Sequence, residues 1–263
     1  MKKLKNCSGV TLIEILIGIV ISVIIMAAMY TSYQAVNGSY SQVASKAKAS
    51  QTGRNVLGML MRDLRQAGFK FFEDSVVNDD DPITIIENVN GANGDLPQAR
   101  PDFACDHIQI VYGDATRDGL QDPVYERYRI TYYCLVSTLQ APNGDVEVTN
   151  AIYKQKERWV NGAWNIDPQD NTSYTGQLIT NYIEDFTLIA KDINGLRIVN
   201  GERPYDIRAV EIKLTTRSRD NFYQTDRNVT IVDIDSDNEI TITDRFLRET
   251  SVMSVSIRNL GLQ

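Results

Sequence analysis

Gly9-Val10-Thr11-Leu12-Ile13-Glu14, continuing as an apolar run through Met29 and Tyr30, decides how the chain is organised. Residues 10–30 hold a single charge, Glu14, and a short basic stretch containing Lys2, Lys3 and Lys5 precedes them. As an α-helix, residues 10–30 rise about 31 Å, enough to cross a hydrocarbon core about 30 Å thick. The three lysines, with no acid nearby, favour keeping the N-terminus on the cytoplasmic side. The chain beyond Tyr30 is polar and turn-rich, and reads as a soluble body carried on one rod.

Three readings of the run compete. A secretory signal peptide would be cut after the apolar stretch, near Ala27-Ala28, but residues 15–29 are long for such a region and Glu14 has no place in it. A lipoprotein signal needs its cysteine after the run, whereas Cys7 lies before it. A plain membrane anchor explains the length and leaves Glu14 unexplained, since a carboxylate at the edge of a bilayer span costs a few kcal/mol unless paired. A cut between Gly9 and Val10 changes this. The new α-amino group lies four residues before Glu14 on the same helical face, so the two ions can pair with each other or across to a neighbouring helix.

The full 263-residue chain carries a formal charge of -7, with 43% hydrophobic residues and a pI near 4.9. This is the composition of a folded acidic protein and argues against a nucleic-acid binder. Loss of residues 1–9, with their three lysines, would take the charge to -10. Of the three cysteines, Cys7 precedes the run, and Cys105 and Cys134 come after it. If the run spans a membrane, the latter two share the far side, as a disulfide or as two buried thiols. A bridge there closes a loop that stabilises the fold by about 3.5 kcal/mol in the chain-entropy model.

Beyond the run, residues 31–48 contain no proline and remain compatible with helix. Leu57, Leu60, Met61 and Leu64 then make an i, i+3, i+4, i+7 stripe, with Arg54, Arg62, Asp63 and Arg65 expected on the other faces. Gly38, Gly53 and Gly58 are points where such a helix can bend, and Gly68 fits its C-terminal cap. A long loop region comes next, with a short strand expected at 83–86. From His107 on, β-branched and aromatic residues dominate, and strands are expected at 107–112, 124–137, 152–159, 163–166, 178–190, 196–199, 207–214 and 251–260. Asn161-Gly162 is a hairpin-turn signal. At 207–214, Val210, Ile212 and Leu214 should face one side, with Glu211 and Lys213 on the other. The expected fold class is α+β: a long N-terminal helix, transmembrane in its first half, packed on a mainly antiparallel β-sheet head. The expected domains are a leader at 1–9, the helix at 10–68 with its transmembrane part at 10–30, and the head at 69–263.

The opening hexapeptide followed by an apolar helix resembles the type IV prepilin signature, Gly-Phe-Thr-Leu-Ile-Glu, with Val10 in place of Phe. The resemblance implies cleavage after Gly9 by prepilin peptidase, N-methylation of Val10, and pairing of Glu14 with the N-terminal amine of an adjacent subunit. Further along, residues 51–69 (with Gly53-Arg54 and Arg62-Asp63-Leu64-Arg65-Gln66-Ala67-Gly68), 182–186, 207–212 and 255–259 resemble segments of PilW-type minor pilins. J-type pseudopilins of type II secretion share part of the pattern. The implied protein has a pilin-like fold and is a minor pilin that takes part in starting and assembling a type IV pilus as a non-catalytic subunit. Its partners would be other minor and major pilins, prepilin peptidase and the inner membrane, with no nucleic acid. The chain would cross the inner membrane once with its head in the periplasm, and reach the cell surface in the pilus. The alternatives are a pseudopilin, and an adhesin or ligand-binding head using the loops at 70–106 and 113–123.

No catalytic constellation stands out, and no enzyme or cofactor is expected. His107 is the only histidine and reads as structural. Asp233-Ile234-Asp235-Ser236-Asp237-Asn238-Glu239-Ile240-Thr241-Ile242-Thr243-Asp244 resembles a twelve-residue Ca²⁺ loop, with acids at positions 1, 3, 5 and 12. Asp233, Asp235, Asp237, Glu239 and Asp244 are the candidate calcium ligands, against the reading of a solvated acidic turn between two strands. Asp114, Asp118 and Asp122 form a looser candidate.

Overall fold

Residues from Leu12 to Gln66 form one unbroken helix of 55 residues, α1. The structure is a computed structural model that describes residues 10–69, 81–87, 105–116, 124–140, 146–166, 176–199, 203–232 and 239–259. No proline interrupts α1, and it passes through Gly38, Gly53 and Gly58 as helix. At its end Gly68 takes φ 71°, a left-handed conformation open to glycine, and its N–H donates to the Val111 carbonyl at 2.9 Å. The chain turns out of the helix here, and the Gly68 N–H bonds to a strand carbonyl instead of a helix carbonyl.

The chain divides into two compact units between Ser45 and Lys46, inside the helix rather than at its end. In the first unit every helical residue from Leu12 to Ala44 is exposed, including large apolar side chains such as Leu12, Ile24, Met29 and Val43. In the second unit α1 turns amphipathic and buries Ala49, Gly53, Val56, Leu57, Leu60, Asp63 and Leu64.

The strands of the second unit are β1 (Ile83–Ile86), β2 (His107–Thr116), β3 (Val124–Gln140), β4 (Val146–Val160), β5 (Ala163–Ile166), β6 (Gln177–Lys191), β7 (Arg197–Ile198), β8 (Ala209–Arg217), β9 (Arg227–Val232), β10 (Glu239–Asp244) and β11 (Arg248–Ser256), with a short 3₁₀ turn at Pro204–Asp206. Among the described residues, nine strands form one antiparallel sheet in the order β1-β2-β3-β4-β6-β8-β11, with β5 on β4 and β7 on β6, while β9 and β10 pair separately. Asn161 and Gly162, at φ 53° and 84°, make the tight β4–β5 turn, because two successive positive φ angles match the strand twist.

One sheet face packs on α1. Ile108, Ile110, Ile130, Tyr132, Ile152, Phe186, Leu188, Val210, Ile212, Leu214 and Val255 meet Val56, Leu57, Leu60 and Leu64 in a single buried cluster. Each such side chain contributes about 2 kcal/mol by leaving water. Gly53 marks a close approach to β11, since a Cβ there would lie 3.3 Å from the Ser251 hydroxyl oxygen.

Asp63 departs from the sequence expectation. It is 3% exposed within the helix–sheet contact, not on the solvent face. The Tyr132 hydroxyl and the Lys154 ammonium both donate to its Oδ2 at 2.6 Å. Burial, and then the Asp63 charge, push the Tyr132 phenol well above its ordinary pKa, so it stays a donor. Lys213 also departs from expectation: it is buried and pairs at 2.8 Å with Asp185 on the neighbouring strand β6, so β8 is not simply apolar-in and polar-out.

A disulfide joins Cys105 to Cys134 on β3. It holds a short segment against an otherwise open stretch of β6. Asp106 donates its N–H to the Phe186 carbonyl at 2.9 Å, and its carboxylate accepts the Leu188 N–H at 2.6 Å. A side chain here satisfies a ladder donor that lacks a strand partner. On the same sheet, Arg248 donates to both carboxylate oxygens of Glu184 and of Asp244, and ties the foot of the β9–β10 hairpin to β6 and β11. Burial alone would lower the Arg248 pKa, but these hydrogen bonds outweigh it and hold it above its usual value.

Removing one member of a buried ion pair leaves the other charge desolvated. Asp63→Ala in the full chain should therefore lose about 3 kcal/mol of unfolding free energy, at the low end of the range because Lys154 keeps some water contact. Asp63→Leu with Lys154→Met should recover most of that. Denaturant unfolding in detergent micelles reads both; a loss below about 0.5 kcal/mol for Asp63→Ala would contradict the lock.

Candidate functional site

At the head of α1, Thr11 and Glu14 cap the helix reciprocally. The Thr11 N–H and hydroxyl donate to Glu14 Oε2 at 2.8 and 2.9 Å, and the Glu14 N–H reaches the Thr11 hydroxyl oxygen at 3.4 Å. This is a capping box, with Thr11 as N-cap and Glu14 at the third helical position. The spacing Thr11-x-x-Glu14 is its signal in the sequence, and it is missed when Glu14 is read only as a lone charge. The cap satisfies orphan backbone donors that nothing in an apolar medium would otherwise meet.

Glu14 is the only charge between Val10 and Ser45. The small polar side chains along this stretch turn inward on their own helix: Ser22 donates to the Gly18 carbonyl, Thr31 and Ser32 to Ala28, Ser39 to Ala35, and Ser41 to Gly38, all at 2.7–2.9 Å. None of these hydroxyls needs water, which suits an apolar surrounding. The helix contains a stretch of mean hydropathy 2.8, long and apolar enough by length and composition to cross a membrane. Chemically the site offers one exposed carboxylate at the tip of an apolar cylinder, and its natural complement is a cation brought to the same depth by another helix.

The family described as the prokaryotic N-terminal methylation motif matches residues 4–30. The N-terminus is type IV pilin-like. That motif makes the N-terminus pilin- or pseudopilin-like, implies processing by prepilin peptidase and assembly with other pilins, and points to a structural subunit. No curated protein and no solved structure matches the chain. The match ends before the head begins, so the head is described by its own geometry.

The other expected residues are distributed across the chain. Gly9 and Cys7 lie outside the described residues, and Val10 is 72% exposed ahead of the cap. Asp233, Asp235 and Asp237 lie outside the described residues, as do Asp118 and Asp122 and much of both proposed contact loops. Glu239 and Asp244 occupy opposite ends of β10, opposite Val232 and Arg227 of β9. A six-residue strand separates its end positions by about 17 Å. The Asp244 carboxylate is held by Arg248. Among the described residues, no group of three or more His, Cys, Asp or Glu side chains is arranged to hold a metal. His107 stands beside the disulfide, its ring edge-on to Tyr133 at 5.9 Å. Burial lowers its pKa, and a bond to the Cys134 carbonyl partly offsets this, as for a packed neutral histidine.

Processing at this site leaves a mass signature. Chain purified from cells that express prepilin peptidase should begin at Val10 and carry one added methyl on its α-amine. Intact-protein and N-terminal peptide mass spectrometry reads both, and a mature chain beginning after Ala27 or Ala28 would show an ordinary signal peptide instead.

Proposed function

We propose that the chain is a minor pilin that takes part in initiating and assembling a type IV pilus, as a non-catalytic subunit closest to PilW-type minor pilins. The observation that carries this reading is the head of α1: one exposed carboxylate, Glu14, fixed by its cap at the tip of a helix whose large apolar side chains from Leu12 to Val43 are exposed. In an anchor that stays in lipid that acid does no more than cap its own helix, whereas a helix that must register against another charged helix end also uses its charge. Cleavage after Gly9 supplies the cation, the Val10 amine, which becomes methylated. Before assembly the chain crosses the inner membrane once with its head in the periplasm; after assembly it reaches the cell surface in the pilus.

The packing of the head supports the PilW-type assignment. Three of the four segments that carry the resemblance touch directly, with the Asn259 amide donating to the Arg65 carbonyl at 3.1 Å and the Ile257 N–H to the Arg208 carbonyl at 2.9 Å, and the fourth contributes Ile183 and Phe186 to the buried cluster that the others share.

A strain lacking this chain should lose surface pili and twitching, restored by the full-length chain, while exoprotein release continues. Normal piliation with failed exoprotein release would move the chain to the J-type pseudopilins.

A further inference from the structure

β11 ends the sheet, and its outer edge is long and unguarded. Among the described residues it pairs only with β8, residue for residue from Arg248 opposite Arg217 to Ser256 opposite Ala209, with no bulge. Just beyond, the Ile257 N–H donates to the Arg208 carbonyl at 2.9 Å. Ladder bonds alternate along an antiparallel strand, so Ser256, Ser254, Val252 and Thr250 turn their N–H and C=O groups away from β8. Edge strands are normally kept short or guarded by proline, charge or a bulge. β1, at the other end of the sheet, has four residues; β11 has nine, with neither charge nor proline from Thr250 to Ser256. The side chains of all four outward residues are exposed, Val252 in the middle by 55%.

α1 runs beside this edge, with Gly53 against Ser251 and the Asn259 amide on the Arg65 carbonyl. At 100° per residue, Lys46, Arg54 and Arg65 fall in one sector about 100° wide next to Gly53, while Thr52, Asn55 and Met59 lie on the opposite flank, toward the start of β6. The three cations are exposed, and the acid of this part of the helix, Asp63, is turned inward to Tyr132 and Lys154. The charges of the strand itself stand at its ends, Arg248 and Glu249 before the uncharged stretch and Arg258 after it.

We infer that the outer edge of β11 takes up an extended peptide strand of another protein, one in which acidic side chains alternate with β-branched, uncharged ones. The outward main-chain groups of Thr250, Val252, Ser254 and Ser256 pair with that strand as the inward ones pair with β8. Successive side chains of an added strand point to opposite faces of the sheet. Those on the α1 side lie beside Lys46, Arg54 and Arg65 and call for carboxylates. Those on the other side lie beside Thr250, Val252 and Ser254 and call for an uncharged surface that fits the pleat. Charge thus selects among strands that the backbone alone accepts equally. The contact belongs to the head and requires neither Glu14 nor filament assembly, so it is separable from the pilus reading.

The test is calorimetric titration of the full-length chain in non-ionic detergent micelles with a capped synthetic peptide of alternating Glu and Val. It should bind with a Kd below about 1 mM, and hydrogen exchange should slow in β11. The Lys-Val counterpart should bind at least about tenfold more weakly, and so should a fully N-methylated Glu-Val peptide, which has no donors for the ladder. Ser254→Pro removes one outward donor and leaves the β8 ladder intact, and should weaken binding about tenfold or more. If that variant melts early, the N-methylated peptide makes the same test on wild type. Arg54→Glu/Arg65→Glu should reverse the preference, so that the Lys-Val peptide binds the tighter. Absence of binding by the Glu-Val peptide at about 1 mM overturns the inference, as does binding indifferent to N-methylation or to the sign of the peptide. Slowed exchange only outside β11 would put the peptide on another surface, and wild-type self-association that shuts the peptide out would give the edge to a second copy; either result contradicts the assignment.

Discussion

A helix is stable in an apolar medium because its backbone hydrogen bonds close within itself, and the same helix here must also bind a sheet in water. Those two demands govern α1. Up to Tyr30 it shows apolar side chains on all sides and one charge at the tip, and from Ser22 to Ser41 hydroxyls fold onto its own carbonyls. From Lys46 the demand changes, and the sequence narrows to one apolar stripe with cations opposite. The sheet is built to receive that stripe, and the Asp63–Tyr132–Lys154 group sets its register, because a buried carboxylate is stable only where both donors reach it. Sliding the helix by one turn would leave apolar contacts of similar area and strand the charge.

The fold was legible wherever the signal was local. The α1 start and end, the Asn161-Gly162 turn and most strands of the sheet are dictated by spacing, propensity and the absence of proline. The missing parts depend on distant partners. Asp63 sits at the margin of the stripe by helical spacing, and only Lys154, 91 residues on, shows that it turns inward. Lys213 alternates correctly along β8, but Asp185 on another strand makes its buried position tolerable. The β9–β10 pair carries a weak local signal. Its strands are threonine-rich and polar on one face, with Asn228 and Thr243 bonded to each other, and the acids between and beyond them drew attention to a loop instead. The Asp244 carboxylate accepts from Arg248.

At the candidate site the residues were legible and their local arrangement was not. Glu14 stood out because a lone acid is costly in an apolar run, but its role as half of a capping box required attention to Thr11. The box ties two ideas together. The carboxylate that completes the helix start is the same group that a neighbouring α-amine would seek, so assembly can exchange one set of donors for another without leaving the helix end unsatisfied.

The central claim is that Glu14 serves assembly and not membrane insertion. The direct measurement compares wild type and Glu14→Ala in cells, by immunoblot of the inner-membrane fraction and of sheared surface filaments. The account predicts normal membrane levels and a near-complete loss from the filaments. Equal recovery of Glu14→Ala in the filaments would contradict it.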